Sequence, residues 1–187
     1  FFPEGGNLVK GVPSQVAFEA TDAYGNPITL FGRIINRRKE EIGHFATIHE
    51  GRGVFTYIPT GEDADKAEVE LGGKKYRFDL PEVCSQGYVL HVDNLTSEDS
   101  IAVSVQKNTY TPSNLLGLAV IAHGKLLNSC LLNVGKNTPV SFKLDKSEWT
   151  PGVVQLVLFD TAGQIIADRL VFTRKPELLA VDVRKSK

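Results

Sequence analysis

The sequence predicts an all-β protein made of two antiparallel β-sandwiches in tandem. Three observations lead to this fold class. The 187 residues exceed the roughly 100 residues of one ordinary sandwich and suit two. Short stretches of period-two alternation recur, and turn signals separate them about every 8–12 residues. No segment sustains helical periodicity over three turns, which excludes a fold that alternates strands with helices.

The first half of the chain reads as six or seven short strands. In residues 14–22, Val16, Phe18 and Ala20 share one face, as expected for a half-buried strand. Asp22 and Gly25 then fit the first and fourth positions of a type I turn. Further strands are expected over residues 28–36, 41–49, 53–58, 66–71 and 74–80. Their predicted core-facing residues are Ile28, Leu30, Ile34, Phe45, Thr47, Phe55, Tyr57, Val69, Leu71, Tyr76, Phe78 and Leu80.

The second half repeats this pattern. Its seven strands are expected over residues 88–92, 100–106, 115–122, 126–134, 140–144, 152–159 and 164–172. Asp160 and Gly163 repeat the Asp-x-x-Gly turn of the first half, here as a hairpin.

Domain boundaries follow from Pro81, which ends one pattern before another begins at Gly87. We expect one domain over residues 1–82 and a second over 83–175. Residues 176–187 would form a linker or the first strand of a following domain. The chain begins Phe-Phe-Pro and holds no Met, so we expect it to be an interior piece of a longer protein.

Composition and charge exclude several classes of partner. Hydrophobic residues make up 42% and charged residues 23% of the chain, which is ordinary for a globular protein. Residues 1–82 hold 10 basic and 13 acidic side chains, and residues 83–187 hold 11 and 9. Neither half carries the one-signed field that nucleic acid or an anionic membrane requires. The longest apolar run, residues 115–122, is far shorter than the roughly 20 residues of a bilayer helix. We expect no nucleic-acid partner and no membrane insertion.

A set of linked motifs in the first half resembles a known family. These motifs are Phe2-Pro3-Glu4-Gly5-Gly6-Asn7-Leu8-Val9-Lys10-Gly11, Val16-Ala17-Phe18, Asp22-x-x-Gly25-x-Pro27, Phe45-x-Thr47-x-His49-x-Gly51-x-Gly53-x-Phe55 and Pro59. They resemble the immunoglobulin-like, macroglobulin-like domains of the alpha-2-macroglobulin and complement superfamily. The similarity is closer to the bacterial cell-envelope members, which include large proteins where such domains accompany a TonB-dependent receptor plug. Over residues 84–174 the resemblance rests on strand number, the Asp160–Gly163 turn and residues 167–172.

The resemblance implies architecture and association, with no active site. Family members that trap proteases carry a thioester within Cys-Gly-Glu-Gln, whereas Ser85-Gln86 follows Cys84 and Leu131-Leu132 follows Cys130. Neither cysteine therefore fits a thioester. The implied partners are other domains of the same polypeptide and other envelope proteins. The implied location is the periplasm or the outer membrane.

Residue patterns for other chemistry are weak, and we expect no enzyme, cofactor or metal centre. The sequence has no nucleophile elbow, zinc-protease motif or phosphate-binding glycine loop. Cys84 and Cys130 are read as two free thiols, with a disulfide as the alternative. His44 and His49 lie on opposite faces of one strand and cannot share a metal. The acidic loops at residues 62–65 and 93–99 are read as solvated turns, with calcium binding as the alternative.

Two functions remain open from the sequence. The first, which we favour, is a non-catalytic structural or protein-interaction module of a larger cell-envelope protein. The second is a carbohydrate- or ligand-binding module that presents Tyr24, Tyr110 and Trp149, because aromatic side chains on sandwiches can stack on sugars. Isolated surface aromatics are common and need no functional explanation, which favours the first hypothesis.

Overall fold

The computed structural model describes residues 1–61, 65–136 and 138–174. These residues form sixteen strands and no helix, so none of them provides a helix able to cross a membrane. The strands up to residue 84 are β1 (Phe2–Pro3), β2 (Leu8–Val9), β3 (Ser14–Glu19), β4 (Phe31–Ile35), β5 (Glu41–Ala46), β6 (Arg52–Tyr57), β7 (Lys66–Leu71), β8 (Lys74–Asp79) and β9 (Val83–Cys84). Those that follow are β10 (Tyr88–Asp93), β11 (Ser100–Lys107), β12 (Leu115–Ala122), β13 (Lys125–Asn133), β14 (Val140–Asp145), β15 (Gly152–Phe159) and β16 (Ile165–Thr173).

The sheets confirm the predicted fold class of two tandem immunoglobulin-like antiparallel sandwiches. The first sandwich consists of a three-stranded sheet, β1-β3-β6, and a four-stranded sheet, β5-β4-β7-β8. The second sandwich repeats this strand order with β10-β11-β14 and β13-β12-β15-β16. All neighbours in these four sheets are antiparallel, whereas β2 and β9 form a short parallel pair between the sandwiches. The chain therefore builds the same architecture twice.

Each sandwich has its own hydrophobic core. The first is centred on aromatic rings: the Phe18 and Phe45 centroids lie 4.9 Å apart at an angle of 75°, and Phe55 and Phe1 pack against the same pair. Edge-to-face rings at this separation attract beyond the gain from burial alone. The second core is mainly aliphatic and is built from β10–β16. The two cores share no residue among those described, but the predicted domain limits at residues 82 and 175 stay predictions, and residues 176–187 lie outside the described part.

Strand positions agree with the alternation of the sequence where strands are long. The limits of β7, β12 and β15 equal those predicted. The predicted strand over residues 28–36 is shorter, since β4 begins only at Phe31. Leu30, the residue before β4, forms a hydrogen bond with the Thr47 side chain, whose hydroxyl accepts from the Leu30 amide at 3.0 Å.

Four predicted core residues, Ile28, Leu30, Thr47 and Leu80, are only partly buried, and three more are exposed. Tyr76 is 44% exposed, Phe78 is 50% exposed and Leu71 is 37% exposed. Edge strand β5 of the four-stranded sheet contacts edge strand β6 of the three-stranded sheet. The other two edge strands, β8 and β1, therefore face each other across the sandwich. Because β1 has only two residues, it cannot cover the inward side of β8. In the second sandwich the six-residue β10 contacts β16, and Ala167 and Val171 are buried there.

A matched pair of glycines tests the packing of the first sandwich. Gly51 and Gly25 have φ values of 74° and 86°, a conformation that strains any residue with a Cβ atom. An added Cβ at Gly51 would collide with the Ala20 carbonyl oxygen and approach Pro27 Cβ to 3.1 Å, whereas at Gly25 it meets nothing. We expect Gly25→Ala to lower the unfolding free energy by about 1–2 kcal/mol and Gly51→Ala by roughly 2–4 kcal/mol. Urea unfolding of both variants measures the difference, and equal losses would contradict the collision.

Candidate interaction surfaces

The three aromatic residues predicted to bind a ligand lie in different surroundings. Tyr24 is 91% exposed in the turn after β3, where its amide donates to Asp22 Oδ1 at 2.8 Å. Tyr110 is 62% exposed in the loop between β11 and β12. Trp149 is only 8% exposed and packs in the second core. No ring contact joins the three within the described residues, and their role in binding a ligand stays a prediction.

The cysteines and the acidic loops also have defined surroundings. Cys84 and Cys130 are both free thiols, and burial raises the pKa of Cys130.

In the second acidic loop, Asp93 Oδ1 accepts from the amides of Leu95 and Thr96 at 2.9 and 3.0 Å. The Thr96 hydroxyl and these amides lower the pKa of Asp93 to about 2. Lys146 Nζ donates to Asn94 Oδ1 and the Ser97 carbonyl at 3.0 and 2.9 Å. A lysine cation thus binds Asn94 Oδ1, one of the oxygens that the calcium alternative would use.

The other acidic loop is described only at its end, since residues 62–64 lie outside the described part. Asp65 is buried and accepts a hydrogen bond from Tyr57 Oη at 2.6 Å. Burial, followed by this carboxylate, raises the pKa of Tyr57. Across the residues that the structure describes, no group of three His, Cys, Asp or Glu side chains is arranged to hold a metal ion.

A carboxylate from the first half binds the second sandwich. Glu4 follows β1, and its side chain is only 8% exposed. Its Oε1 accepts from Arg169 Nε at 3.0 Å and from the Val92 amide at 3.2 Å, while Oε2 lies 2.6 Å from His91 Nδ1. Charge-assisted hydrogen bonds of this kind are stronger than neutral ones. This partner of His91 could not be found from local sequence, because Glu4 is 87 residues away.

Apolar contacts also join the two halves. Val9, Val12 and Val89 form a small buried cluster to which both halves contribute. An added Cβ at Gly5 would lie 3.3 Å from the Leu90 carbonyl oxygen, which shows how closely the backbones approach. We refer to Glu4, Val9, Val12, Val89, His91, Asn108 and Arg169 as the junction.

A polar loop completes the junction. Asn108 Nδ2 donates to the Lys10 carbonyl at 3.2 Å and to the Ser85 carbonyl at 2.8 Å, so it binds the first half and the connecting segment together. Thr111 Oγ1 donates to Asn108 Oδ1 at 2.7 Å and fixes its orientation. The loop is held in turn by the buried Lys107, whose Nζ donates to the Thr111 carbonyl at 2.8 Å. Each polar group of the junction therefore has a partner that limits its movement.

A small cleft opens beside the junction. It has a volume of about 190 Å³ and is lined from both sandwiches, mainly by Ser14, Gln15, Thr56, His91, Ser104 and Gln106. Small-molecule sites usually enclose roughly 300–1,000 Å³ and are mostly apolar. The small size of this cleft therefore favours a groove between two packed sandwiches over a ligand site.

The outward side of the first four-stranded sheet carries a charged row. Glu68 on β7 lies directly between Arg33 on β4 and Arg77 on β8. Its carboxylate accepts from Arg33 Nη2 at 2.6 Å and from Arg77 Nε at 2.8 Å, and Lys75 Nζ lies 3.9 Å away. The Arg33 and Arg77 hydrogen bonds lower the pKa of Glu68 to about 2. Cross-strand pairs of opposite charge stabilise a sheet surface that faces water.

Comparisons with known proteins show only distant likeness. No protein-family model matches the chain, and no curated protein matches it. The similar solved structures include the native conformation of E. coli alpha-2-macroglobulin, with 13% identity and a TM-score of 0.33, covering 92% of this chain and 14% of that one. The BSP domain of a biofilm-associated protein has 10% identity and a TM-score of 0.41, covering 95% and 30%. A b-glucuronidase from Ruminococcus gnavus has 11% identity and a TM-score of 0.27, covering 86% and 35%.

These likenesses are limited in extent. This chain spans about a seventh to a third of the length of those structures. Their scores are too low to carry an argument about function.

The charged row predicts a pH dependence of stability. The pKa of Glu68 is about 2 in the folded chain against an ordinary value of 4.5. A depressed folded pKa gives stability that is present above the unfolded value and is lost as pH falls towards the folded one. We expect the difference in melting temperature between wild type and Glu68→Gln to be largest near neutral pH and to shrink between pH 4.5 and 2. Melting curves across this range measure it, and a difference that is constant with pH would contradict the assignment.

Proposed function

We propose that this chain is a non-catalytic structural and protein-interaction module, in which two sandwiches are held in one relative orientation. The observation that carries the proposal is the Glu4 carboxylate, which reaches from the first half to Arg169, His91 and the Val92 amide of the second sandwich. A flexible pair of domains has no need of a shielded ion pair between its members. A module that holds the parts attached to its two ends in a fixed orientation does need such an ion pair.

The junction combines three kinds of contact that fix an orientation in different ways. The Glu4 hydrogen bonds are directional, since they satisfy both carboxylate oxygens at once. The valine cluster adds burial, which is not directional but excludes water. The parallel pairing of Leu8 and Val9 with Val83 and Cys84 ties the connecting segment to the first sandwich. Together these contacts support one rigid unit.

The perturbed groups support a role without catalysis. The pKa of Glu68 is lowered by two arginines on a sheet surface, and that of Asp93 is lowered by the donors of its own turn. The pKa of Tyr57 is raised mainly by burial in the first core. Perturbed groups of an active site converge in one cleft, whereas these three lie on separate elements and each stabilises its own surroundings.

We further propose that the module belongs to a larger protein of the bacterial cell envelope, in the periplasm or at the outer membrane. The sequence resemblance of residues 1–82 to macroglobulin-like envelope domains supports this setting. Its partners would be other domains of the same polypeptide, in proteins that include those with a TonB-dependent receptor plug, and other envelope proteins. The cysteine surroundings lack the thioester motif, so a protease-trapping reaction would need another part of the protein.

The fixed orientation can be measured by residual dipolar couplings in weakly aligned solution. We expect the two sandwiches of the wild-type chain to report one common alignment tensor. Glu4→Ala removes the carboxylate that binds three groups of the second sandwich, so the tensors should differ while both sandwiches stay folded. Glu19→Ala is the matched control, because Glu19 pairs with Arg52 at 3.0 Å on the surface of the first sandwich alone.

Two results would contradict the proposal. Different tensors for the two sandwiches of the wild type would show that the junction does not fix their orientation. A common tensor retained in Glu4→Ala would show that the carboxylate is not what holds them.

A further inference from the structure

The outward face of the second four-stranded sheet is apolar. In β15 the inward residues Val154, Leu156 and Leu158 are fully buried, so residues 153, 155, 157 and 159 point outward. The pairing registers carry this alternation to the neighbouring strands. The residues of this outward face are Leu115, Gly117, Ala119, Ile121, Leu126, Ser129, Leu131, Asn133, Val153, Gln155, Val157, Phe159, Ile165, Asp168, Leu170 and Phe172.

Much of this outward face is open to solvent. Seven of its large aliphatic and aromatic members are between 44% and 76% exposed, namely Leu115, Leu126, Leu131, Val153, Ile165, Leu170 and Phe172. Val157, at the centre, is already buried by its neighbours. The Phe159 ring lies over Gly117 of the adjacent strand and adds apolar surface to this face. Single exposed apolar residues are ordinary, but a continuous patch of this kind marks an interaction site.

The first sandwich provides an internal comparison. The equivalent outward face there carries Arg33, Glu68, Lys75 and Arg77, which form ion pairs across its strands. The two sheets have the same strand order and therefore the same geometry. The outward face of the four-stranded sheet is thus charged in the first sandwich and apolar in the second.

The sequences of the central strands β12 and β15 indicate that both faces of this sheet are covered. Residues 115–122 read Leu-Leu-Gly-Leu-Ala-Val-Ile-Ala, and residues 152–159 contain one polar side chain, Gln155. Strands with one face in water alternate apolar and polar residues, whereas near-continuous apolar runs are typical of strands buried on both faces. The inward faces of β12 and β15 are covered by the second core, so the composition indicates a cover for the outward face as well.

Charge allows this face to meet a copy of itself. Asp168 is the one charged residue among the outward positions given above, and its carboxylate accepts from Gln155 Nε2 at 3.0 Å on the same face. A two-fold contact therefore brings in one carboxylate from each copy, and each carboxylate is already hydrogen-bonded within its own face. An acidic partner would find no complementary charge among these positions, and a basic partner would find a single carboxylate.

The open area agrees with a contact between two copies. A buried Val, Leu, Ile or Phe side chain removes roughly 60–120 Å² from water, so the seven open side chains leave roughly 250–500 Å² of apolar surface. The half-buried Ala119, Ile121 and Phe159 and the polar residues between them extend this area. A specific interface begins at about 500 Å² per partner, which one such face can supply to a weak dimer.

We propose that a second copy of this chain packs on this surface, with the outward faces of two second sandwiches against each other about a two-fold axis. Two sheets pack in this way inside each sandwich, with their apolar faces about 10 Å apart. The dimer would bury the apolar side chains of β12, β13, β15 and β16 and leave the charged row of the first sandwich in water.

Sedimentation velocity of the full chain over a wide concentration range tests this contact. We expect reversible dimerisation in the wild type. Leu131→Lys on β13 and Phe172→Lys on β16 place a charge at opposite edges of the face, and each should weaken the dimer at least about tenfold. Ile48→Lys is the matched control, because Ile48 is 75% exposed in the loop between β5 and β6 of the first sandwich and should leave dimerisation unchanged. Circular dichroism checks that every variant is folded.

Three outcomes would overturn the proposal. A wild-type chain that stays monomeric at all concentrations would mean that another occupant covers the face. Dissociation by Leu131→Lys without any effect of Phe172→Lys would indicate pairing through the β13 edge in place of face-to-face packing. An equal effect of Ile48→Lys would indicate non-specific association. None of these outcomes would change the alignment test of the junction, which is measured at concentrations where the chain is monomeric.

Discussion

The packing of a four-stranded sheet against a three-stranded one is the constraint on which most of this structure depends. A sheet needs its apolar face covered, and three strands cannot cover four of equal length. In the second sandwich the six-residue β10 covers β16. In the first sandwich β1 has two residues, so the inward side of β8 stays open and Tyr76 and Phe78 remain half exposed. The aromatic cluster of Phe1, Phe18, Phe45 and Phe55 compensates nearby by concentrating large rings under the strands that are covered.

The short β1 also explains how the junction forms. Because the strand ends at Pro3, the chain turns at Glu4 and Gly5 and runs towards the second sandwich before β3 begins at Ser14. Residues 4–12 therefore belong to the first half by sequence but contact Leu90, His91 and Arg169 of the second. The strand that would have covered β8 is replaced by a segment that holds the two sandwiches together. The path of residues 4–12 therefore leaves β8 uncovered and also forms the junction.

The sequence predicted the parts of the fold that depend on local alternation. Strands such as β12 and β15 are long enough for several period-two repeats, so their limits could be found without a structure. Strands β1, β2 and β9 have two residues each, which is too short for any periodic signal. The exposure of Tyr76 could not be predicted either, because it depends on the length of a strand in the opposite sheet. The role of Glu4 required knowledge of which residues 87 and 165 positions away fold next to it.

The apolar outward face was visible in the sequence only in part. A continuous apolar run such as residues 115–122 indicates a buried strand, but alternation cannot tell whether the second face is buried by the same domain or by another molecule. The structure separates the two cases, because the inward residues fill the core and the outward ones remain open.

If that face joins two copies, the rigid junction gives the contact a further consequence. Each first sandwich is fixed to its second sandwich, so a two-fold contact between the second sandwiches would also set the distance and direction between the two first ones. A flexible junction would lose that relation, and the dimer would then bring two domains near each other without orienting them.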